Sequence, residues 1–482
     1  MARPSITIIG AGFGGLSTAI ELKRAGYTDI TILEKADDVG GVWRDNTYPN
    51  AACDVPSSLY SWSFAPNPGW PHRYSRQHEI LAYIRRTARE AGVLDHVRTR
   101  VEATSAAYDE TARSWHLTTT HGEAIDTDVL VSAVGQLSRP SIPDLPGIDS
   151  FAGPAFHSGQ WDHSADLKGK RIAVLGTGAS AIQFVPGIQP DAAHVTVFQR
   201  SAPYVVPKPD REYTRTHNKL FRKVPPTQTF GRKLTWVLSE QLNRSFGGRN
   251  PITQAMWLAW QAQLRAQVRD PELRAKLVPD YRLGCKRLLF SSDWYPTLAQ
   301  PNVEVVTEPV VEVLPNGVRS GDGTVHEVDV IIYGTGFAAT EFLAPMQITG
   351  VDGADLHGLW KDGARAYLGL CVPQFPNLFV VYGPNTNLGG SSIINMLESQ
   401  ADAITTLLKH AQSTGAQAVS VRPEAEQRFD DEIQGRLANS VWASCSSWYH
   451  EDGGRISTNW PGTVAEYKQR CAELDLDDFV TA

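Results

Sequence analysis

The sequence predicts an α/β fold with two parallel sheets, and three observations carry the prediction. Residues 5–26, SITIIGAGFGGLSTAIELKRAG, pass from an unbroken apolar strand through a glycine turn into a segment of helical periodicity. Residues 168–188, KGKRIAVLGTGASAIQFVPGI, repeat that order. Residues 328–337, VDVIIYGTGF, form a further buried strand ending in glycines. Residues 128–140, DVLVSAVGQLSRP, are its counterpart between the two glycine turns.

In the first unit Leu16, Ala19 and Ile20 share a helix face, and Gly26 is placed to stop the helix. Gly10, Gly12 and Gly15 match G-x-G-x-x-G, with Phe13 and Gly14 between them. This is the pattern of a dinucleotide-binding, Rossmann-like unit. Glycine allows the tight turn, the close approach of a pyrophosphate and close strand–helix packing. The helix N-terminus then turns unpaired N–H groups towards the phosphates. The next strand, DITILEK, ends at Glu34 and Lys35, close to the ~20-residue offset at which an acid accepts hydrogen bonds from a ribose. An acid there favours a free 2′-hydroxyl, hence FAD or NAD over NADP.

In the second unit Gly176 and Gly178 make the turn, with Thr177, Ala179 and Ser180 in it, and Ala181 takes the third-glycine place. The following strand, HVTVFQRSAPY, ends in Arg200 and Ser201 instead of an acid. A guanidinium near the ribose pairs with a 2′-phosphate, which predicts NADPH over NADH. A surface arginine capping a strand is the plainer alternative.

The two units with the returning strand predict two dinucleotide-binding domains, the first of them discontinuous. The FAD-binding domain takes residues 1–145 and 329–482, and the NADP-binding domain takes 146–208 and 281–328. Residues 209–280 are polar, rich in Gln and Arg and helix-periodic, with no visible chemistry. They read as a helical insertion capping the substrate side. FPNLFVVYGPNTNLGGSSIINMLESQ (375–400) gives a strand, a Gly-Pro-Asn loop and a helix whose start offers backbone N–H groups to a flavin's pyrimidine ring.

Composition limits the alternatives. A net charge of −7 gives no reason to expect a nucleic-acid partner. No apolar run approaches the roughly 20 residues that span a bilayer. The N-terminus lacks a signal-peptide pattern, so a cytoplasmic location is expected. The five cysteines (Cys53, Cys285, Cys371, Cys445, Cys471) are scattered and form no C-x-x-C pair. That suits a reducing compartment and argues against a metal site or a disulfide reductase. Cys53 and Cys285 read as small buried thiols.

Two further stretches carry a family resemblance. DDVGGVWRDNTYPNAACDVPSSLYSWSF (37–64) resembles the flavoprotein monooxygenases, in which G-G-x-W and Y-P-x-x-x-x-D runs wrap the isoalloxazine end of FAD. FAGPAFHSGQWD (151–162) places Phe151, Gly153, His157, Trp161 and Asp162 on the fingerprint F-x-G-x-x-x-H-x-x-x-W-[P/D] of the type I Baeyer–Villiger monooxygenases. The resemblance covers nearly the whole chain. It implies an FAD-dependent, NADPH-consuming enzyme that inserts one atom of dioxygen beside a ketone carbonyl through a C4a-peroxyflavin, giving an ester or lactone, and that also oxidises sulfides.

It also implies site residues. RLGCKRLLF (282–290) resembles the family's G-x-K-R segment, making Arg287 the active-site arginine and Lys286 a nicotinamide-cofactor ligand. NAACDVP makes Asp54 the carboxylate that positions Arg287. SSWYHEDGGR resembles the C-terminal loop, with Trp448 reaching cofactor or substrate, while GRISTNWPGT departs from the family's pattern. The FAD set implied is Gly10, Gly12, Phe13, Gly14, Gly15, Glu34, Lys35, Gly41, Val42, Trp43, Tyr48, Asp54, Tyr60, Val101, Gly135 and Met396. The NADP set is Gly176, Thr177, Gly178, Ala179, Ser180, Arg200, Ser201, Lys286 and Trp448. His157 reads as a hydrogen-bonded hinge residue in preference to an acid–base catalyst. An N- or S-oxygenating flavin monooxygenase, a non-catalytic FAD protein and an uncoupled NADPH oxidase remain alternatives.

Overall fold

The computed structural model describes residues 3–246, 251–451 and 453–482. Residues 247–250 of the expected insertion and Asp452 of the SSWYHEDGGR stretch lie outside the described residues. Ten strands build the two main sheets: β1 (Ile6–Ile9), β2 (Ile30–Glu34), β3 (Val97–Thr99), β4 (Val129–Ser132), β5 (Ala155–His157), β6 (Arg171–Leu175), β7 (His194–Phe198), β8 (Val303–Val306), β9 (Val330–Tyr333) and β10 (Leu378–Val380). The first sheet runs β10-β4-β1-β2-β3 and the second β8-β7-β6-β9-β5, and every pairing is parallel. The strand before each glycine turn, β1 or β6, is central in its sheet. Apart from Arg171 its residues are β-branched or aliphatic and buried, as a strand covered on both faces requires.

Helix α1 (Phe13–Arg24) follows β1, and α2 (Ala181–Ile188) follows β6. Gly15 shows why the turn needs glycine: a Cβ there would lie 1.9 Å from the Gly10 carbonyl oxygen. The insertion is helical as expected, in α3 (Arg215–Lys223), α4 (Pro225–Ser245), α5 (Pro251–Gln267) and α6 (Pro271–Lys276). The C-terminal part adds α7 (Ile393–Thr414), which shares one apolar core with α1, and α8 (Val464–Ala472). A four-stranded sheet from residues 103–127 and 347–349 and a three-stranded one from 310–327 complete the larger sheets among the described residues.

Strand pairing moves one expected boundary. Residues 330–333 were expected in the FAD-binding part, but β9 sits between β6 and β5 in the second sheet. The chain rejoins the first sheet only at β10. A buried apolar strand carries no mark of which sheet it will join, because its hydrogen-bond partners lie far away in sequence.

The fingerprint stretch supplies the edge of the second sheet. Ala155–His157 pairs with Ile331–Tyr333. Gly153 faces the Asp329 backbone, where a Cβ would lie 2.3 Å from the carbonyl oxygen. Trp161 packs on Phe156 and on Phe184 of α2, at centroid distances of 5.1 and 5.4 Å. His157 is fully buried; its Nδ1 accepts the Gly159 N–H at 3.0 Å and its ring meets Phe337 edge-on. Burial holds the imidazole below its ordinary pKa, which suits a neutral packing residue. Asp162 caps a surface turn through Ser164.

The cysteines correct a second expectation. Cys285 and Cys445 form a disulfide across 160 residues, while Cys53, Cys371 and Cys471 are buried free thiols. Cys285 is therefore no free thiol. The bond ties the Lys286–Arg287 segment to the loop that carries Trp448. Nothing local in sequence signals a pairing over such a separation.

Three outcomes follow from this packing and from the disulfide. Gly153→Ala should lower stability by about 1–3 kcal/mol, read as a drop in the unfolding midpoint, because the neighbour is backbone. Asp162→Asn, which keeps a turn-capping oxygen, should shift it by less than about 0.5 kcal/mol. Titration of the denatured chain with a thiol reagent should count three thiols before reduction and five after.

Candidate active site

A cleft of about 1220 Å³ is lined by both glycine turns and by the segments that reach between the two sheets. On the first-sheet side its wall includes Gly10, Gly12, Phe13, Gly14, Glu34, Lys35, Gly41, Val42, Trp43, Tyr48, Asp54, Tyr60, Val101 and Gly135. Two residues of the expected set fall outside it. Gly15 is packed beneath the turn, against the Gly10 carbonyl. Met396 points into the apolar core of the first unit and is 0% exposed. Its spacing on α7 with Gln400, Ala403 and Leu407, all buried, is the periodicity of a core face, and that was the signal against a cofactor contact.

Backbone shape on this side suits a phosphate-bearing ligand. Gly12 and Gly41 approach so closely that a Cβ on Gly41 would lie 3.1 Å from the Gly12 Cα. Side chains at either position would fill the groove in front of the α1 N-terminus. Glu34 is buried at the end of β2, accepting the Ala11 N–H at 2.9 Å and facing Arg44 Nη1 at 3.1 Å. It lies at the cleft edge. Trp43 Nε1 donates to the Tyr60 hydroxyl at 3.0 Å, and Tyr60 packs edge-on against Phe13.

On the second-sheet side Gly176, Thr177, Gly178, Ala179, Ser180, Arg200, Ser201, Lys286 and Trp448 all line the cleft. Lys286 Nζ donates to Ser201 Oγ at 2.9 Å and stands 4.6 Å over the Tyr281 ring. Burial lowers its pKa and the nearby Arg200 cation adds to the effect. Two cations and a hydroxyl thus line the cleft at the end of β7, and Asp280 acts on Lys286 less than burial and Arg200 do. That is a site that gains from an anion.

Between the two halves stands one ion pair. Arg287 Nη2 donates to Asp54 Oδ2 at 2.6 Å. Asp54 raises the Arg287 pKa further. Burial alone would raise the pKa of Asp54, but the guanidinium outweighs it and keeps the carboxyl below its usual value. Both side chains stay charged, and both face the cleft.

The pair is set from several directions. Gln183 of α2 bonds Ala52 through both its amide atoms, donating to the carbonyl at 3.0 Å and accepting the N–H at 3.1 Å. Tyr48, in the same segment, reaches Gln183 and packs on Phe184. Lys208 Nζ donates to the Cys53 carbonyl at 2.9 Å and places a second cation beside Asp54. Burial raises the pKa of Tyr382 and Tyr449 and the Arg287 cation pulls against it, as it does for Tyr48 and Cys53. Sequence reasoning missed Arg44, Gln183, Lys208, Tyr382 and Tyr449. Only Arg44 and Tyr449 had a signal, each being adjacent to a tryptophan already singled out. None of the five fingerprint residues lines the cleft.

The chain matches the flavin-binding monooxygenase-like family over residues 3–347. A Baeyer–Villiger monooxygenase of Streptomyces coelicolor is 44% identical over 98% of this chain and 92% of its own length. One of Pseudomonas aeruginosa is 41% identical over 98% and 90%. Among solved structures, an oxidised steroid monooxygenase bound to NADP superposes with a TM-score of 0.88 at 28% identity, covering 100% of this chain and 99% of that one. A closed cyclohexanone monooxygenase gives 0.88 at 27%, with the same coverage. The chain belongs to the flavin-binding monooxygenase-like family, on its Baeyer–Villiger branch.

Proposed function

We propose that the chain is an FAD-dependent, NADPH-consuming monooxygenase that converts ketones to esters or lactones and also oxidises sulfides. The Arg287–Asp54 pair, standing in the cleft between two nucleotide-shaped turns, is the observation that carries this reading. When bound, FAD reduced by NADPH activates dioxygen and delivers one of its atoms.

This chain's residues do the rest. Gly10, Gly12 and Gly41 leave room for the FAD pyrophosphate before the α1 N-terminus. Glu34 holds the adenosine ribose, as its place at the end of β2 suits. Arg200, Ser201 and Lys286 hold the 2′-phosphate of NADPH with two charges and a hydroxyl. Arg287 keeps its proton at any working pH, so it offers a fixed positive partner to the oxygen anion that attacks the ketone. It then stabilises the charge that builds on the carbonyl oxygen. Asp54 orients the guanidinium without taking its proton. Trp448, 39% exposed at the cleft wall, covers the cofactor and limits the entry of water. NADPH consumption fits the cytoplasm, where that cofactor is regenerated.

The reading is tested by NADPH-driven turnover of a ketone panel under ¹⁸O₂ with product mass analysis. Ester or lactone carrying one labelled atom is expected. Hydrogen peroxide in step with NADPH loss and no ester from any ketone would reduce the enzyme to an oxidase. Arg200→Ala should raise KM for NADPH roughly ten- to hundredfold and leave that for NADH nearly unchanged, the loss expected for one charge-assisted phosphate contact. Equal effects on both cofactors would remove Arg200 from the phosphate site.

A further inference from the structure

Helix α4 lies on the protein with its polar face inward. Surface helices normally bury their apolar stripe. Here Phe230, Leu234, Val237 and Leu238, at i, i+4, i+7 and i+8, face solvent, and Phe230 is 70% and Leu238 61% exposed. The inward side is held by polar contacts. Gln228 donates to the Asn67 carbonyl at 2.7 Å. Arg232 donates to the carbonyls of Ser58 and Ser61 at 2.7 and 3.1 Å. Glu240, 4% exposed, accepts the Val464 and Ala465 N–H groups at the start of α8 at 3.0 and 3.1 Å. Rotating the helix to hide the stripe would break all of these, so its orientation is fixed by the fold.

The neighbouring helix extends the surface. On α3 and the link to α4, Leu220 and Val224 are also exposed. Arg215, Lys219, Arg222 and Lys223 on α3 and Lys233 on α4 are exposed. Residues 213–239 contain no Asp or Glu, in a chain whose net charge is −7. A basic patch with an apolar ridge thus stands on an otherwise acidic protein.

We propose that the α3–α4 face docks peripherally on an anionic lipid bilayer. Charge complementarity selects this occupant. The lysines and arginines meet anionic headgroups, and the ridge of Phe230, Leu234 and Leu238 enters the boundary between headgroups and acyl chains. A twofold contact between copies would instead set the same basic patch against itself. Apolar ketones partition into the same layer, so docking brings the enzyme to where such substrates concentrate.

The test is co-sedimentation of the full-length, FAD-loaded protein with vesicles of phosphatidylglycerol or of phosphatidylcholine. Wild type should pellet with phosphatidylglycerol at low salt, release at high salt, and stay in solution with phosphatidylcholine. The double variant Lys219→Ala, Lys223→Ala should bind phosphatidylglycerol vesicles about thirtyfold more weakly. The triple variant Phe230→Ser, Leu234→Ser, Leu238→Ser should not pellet, and both should keep wild-type NADPH oxidation, which reports an intact fold. Wild type remaining in solution with anionic vesicles would overturn the proposal, as would binding that ignores lipid charge and the lysine variant. Light scattering that shows a dimer dissociated by the serine variant, with no vesicle binding, would assign the face to self-association instead. Should the serine variant misfold, the lysine variant alone decides.

Discussion

A guanidinium placed in a protein cleft needs a fixed negative partner, and the rest of this site is arranged around meeting that need for Arg287. Its partner, Asp54, comes from a segment of the first unit, 233 residues earlier. The bond therefore joins the two nucleotide-shaped halves across the cleft they share. It is kept charged from both sides: Arg287 lowers the Asp54 pKa against the pull of burial, and Lys208 adds a second positive charge. Gln183 fixes the Asp54 segment to the helix behind the second glycine turn, so the position of the carboxylate depends on the packing of the other half.

The fingerprint stretch fits the same frame without entering the cleft. Gly153 and Ala155–His157 finish the second sheet at its edge. Trp161 presses on Phe184, next to Gln183, and His157 presses on Phe337, at the turn that closes the strand before it. One side of the motif thus supports the helix that holds the Asp54 segment, and the other supports a cleft-lining turn. The motif thus braces parts of the cleft wall without lining the cleft itself.

Local features were legible in the sequence. Both glycine turns, the acid ending β2, the Arg200–Ser201 pair and the helical insertion depend on residues a few positions apart, where spacing reports geometry directly. The pairing of Arg287 with Asp54 came from resemblance alone, because no periodicity links positions so far apart. What was not legible is long-range: the sheet that β9 joins, the Cys285–Cys445 bond, and the approach of Lys208 and Tyr382 to the ion pair. Met396 was misplaced although its helical spacing marked it as core. The inverted face of α4 was also hidden, since its stripe reads like any buried helix face until Arg232 and Glu240 are seen to point inward.

The ion pair is tested most directly by separating its two uses. Stopped-flow reduction of the bound flavin by NADPH and ester yield per NADPH would be measured for wild type, Arg287→Ala and Asp54→Asn. With Arg287 as the fixed cation of oxygen transfer and Asp54 as its positioning group, reduction persists in both variants. Ester yield is lost in the first and falls in the second by roughly the hundredfold that follows misplacement of a catalytic group. Ester formed by Arg287→Ala at the wild-type rate would contradict the account.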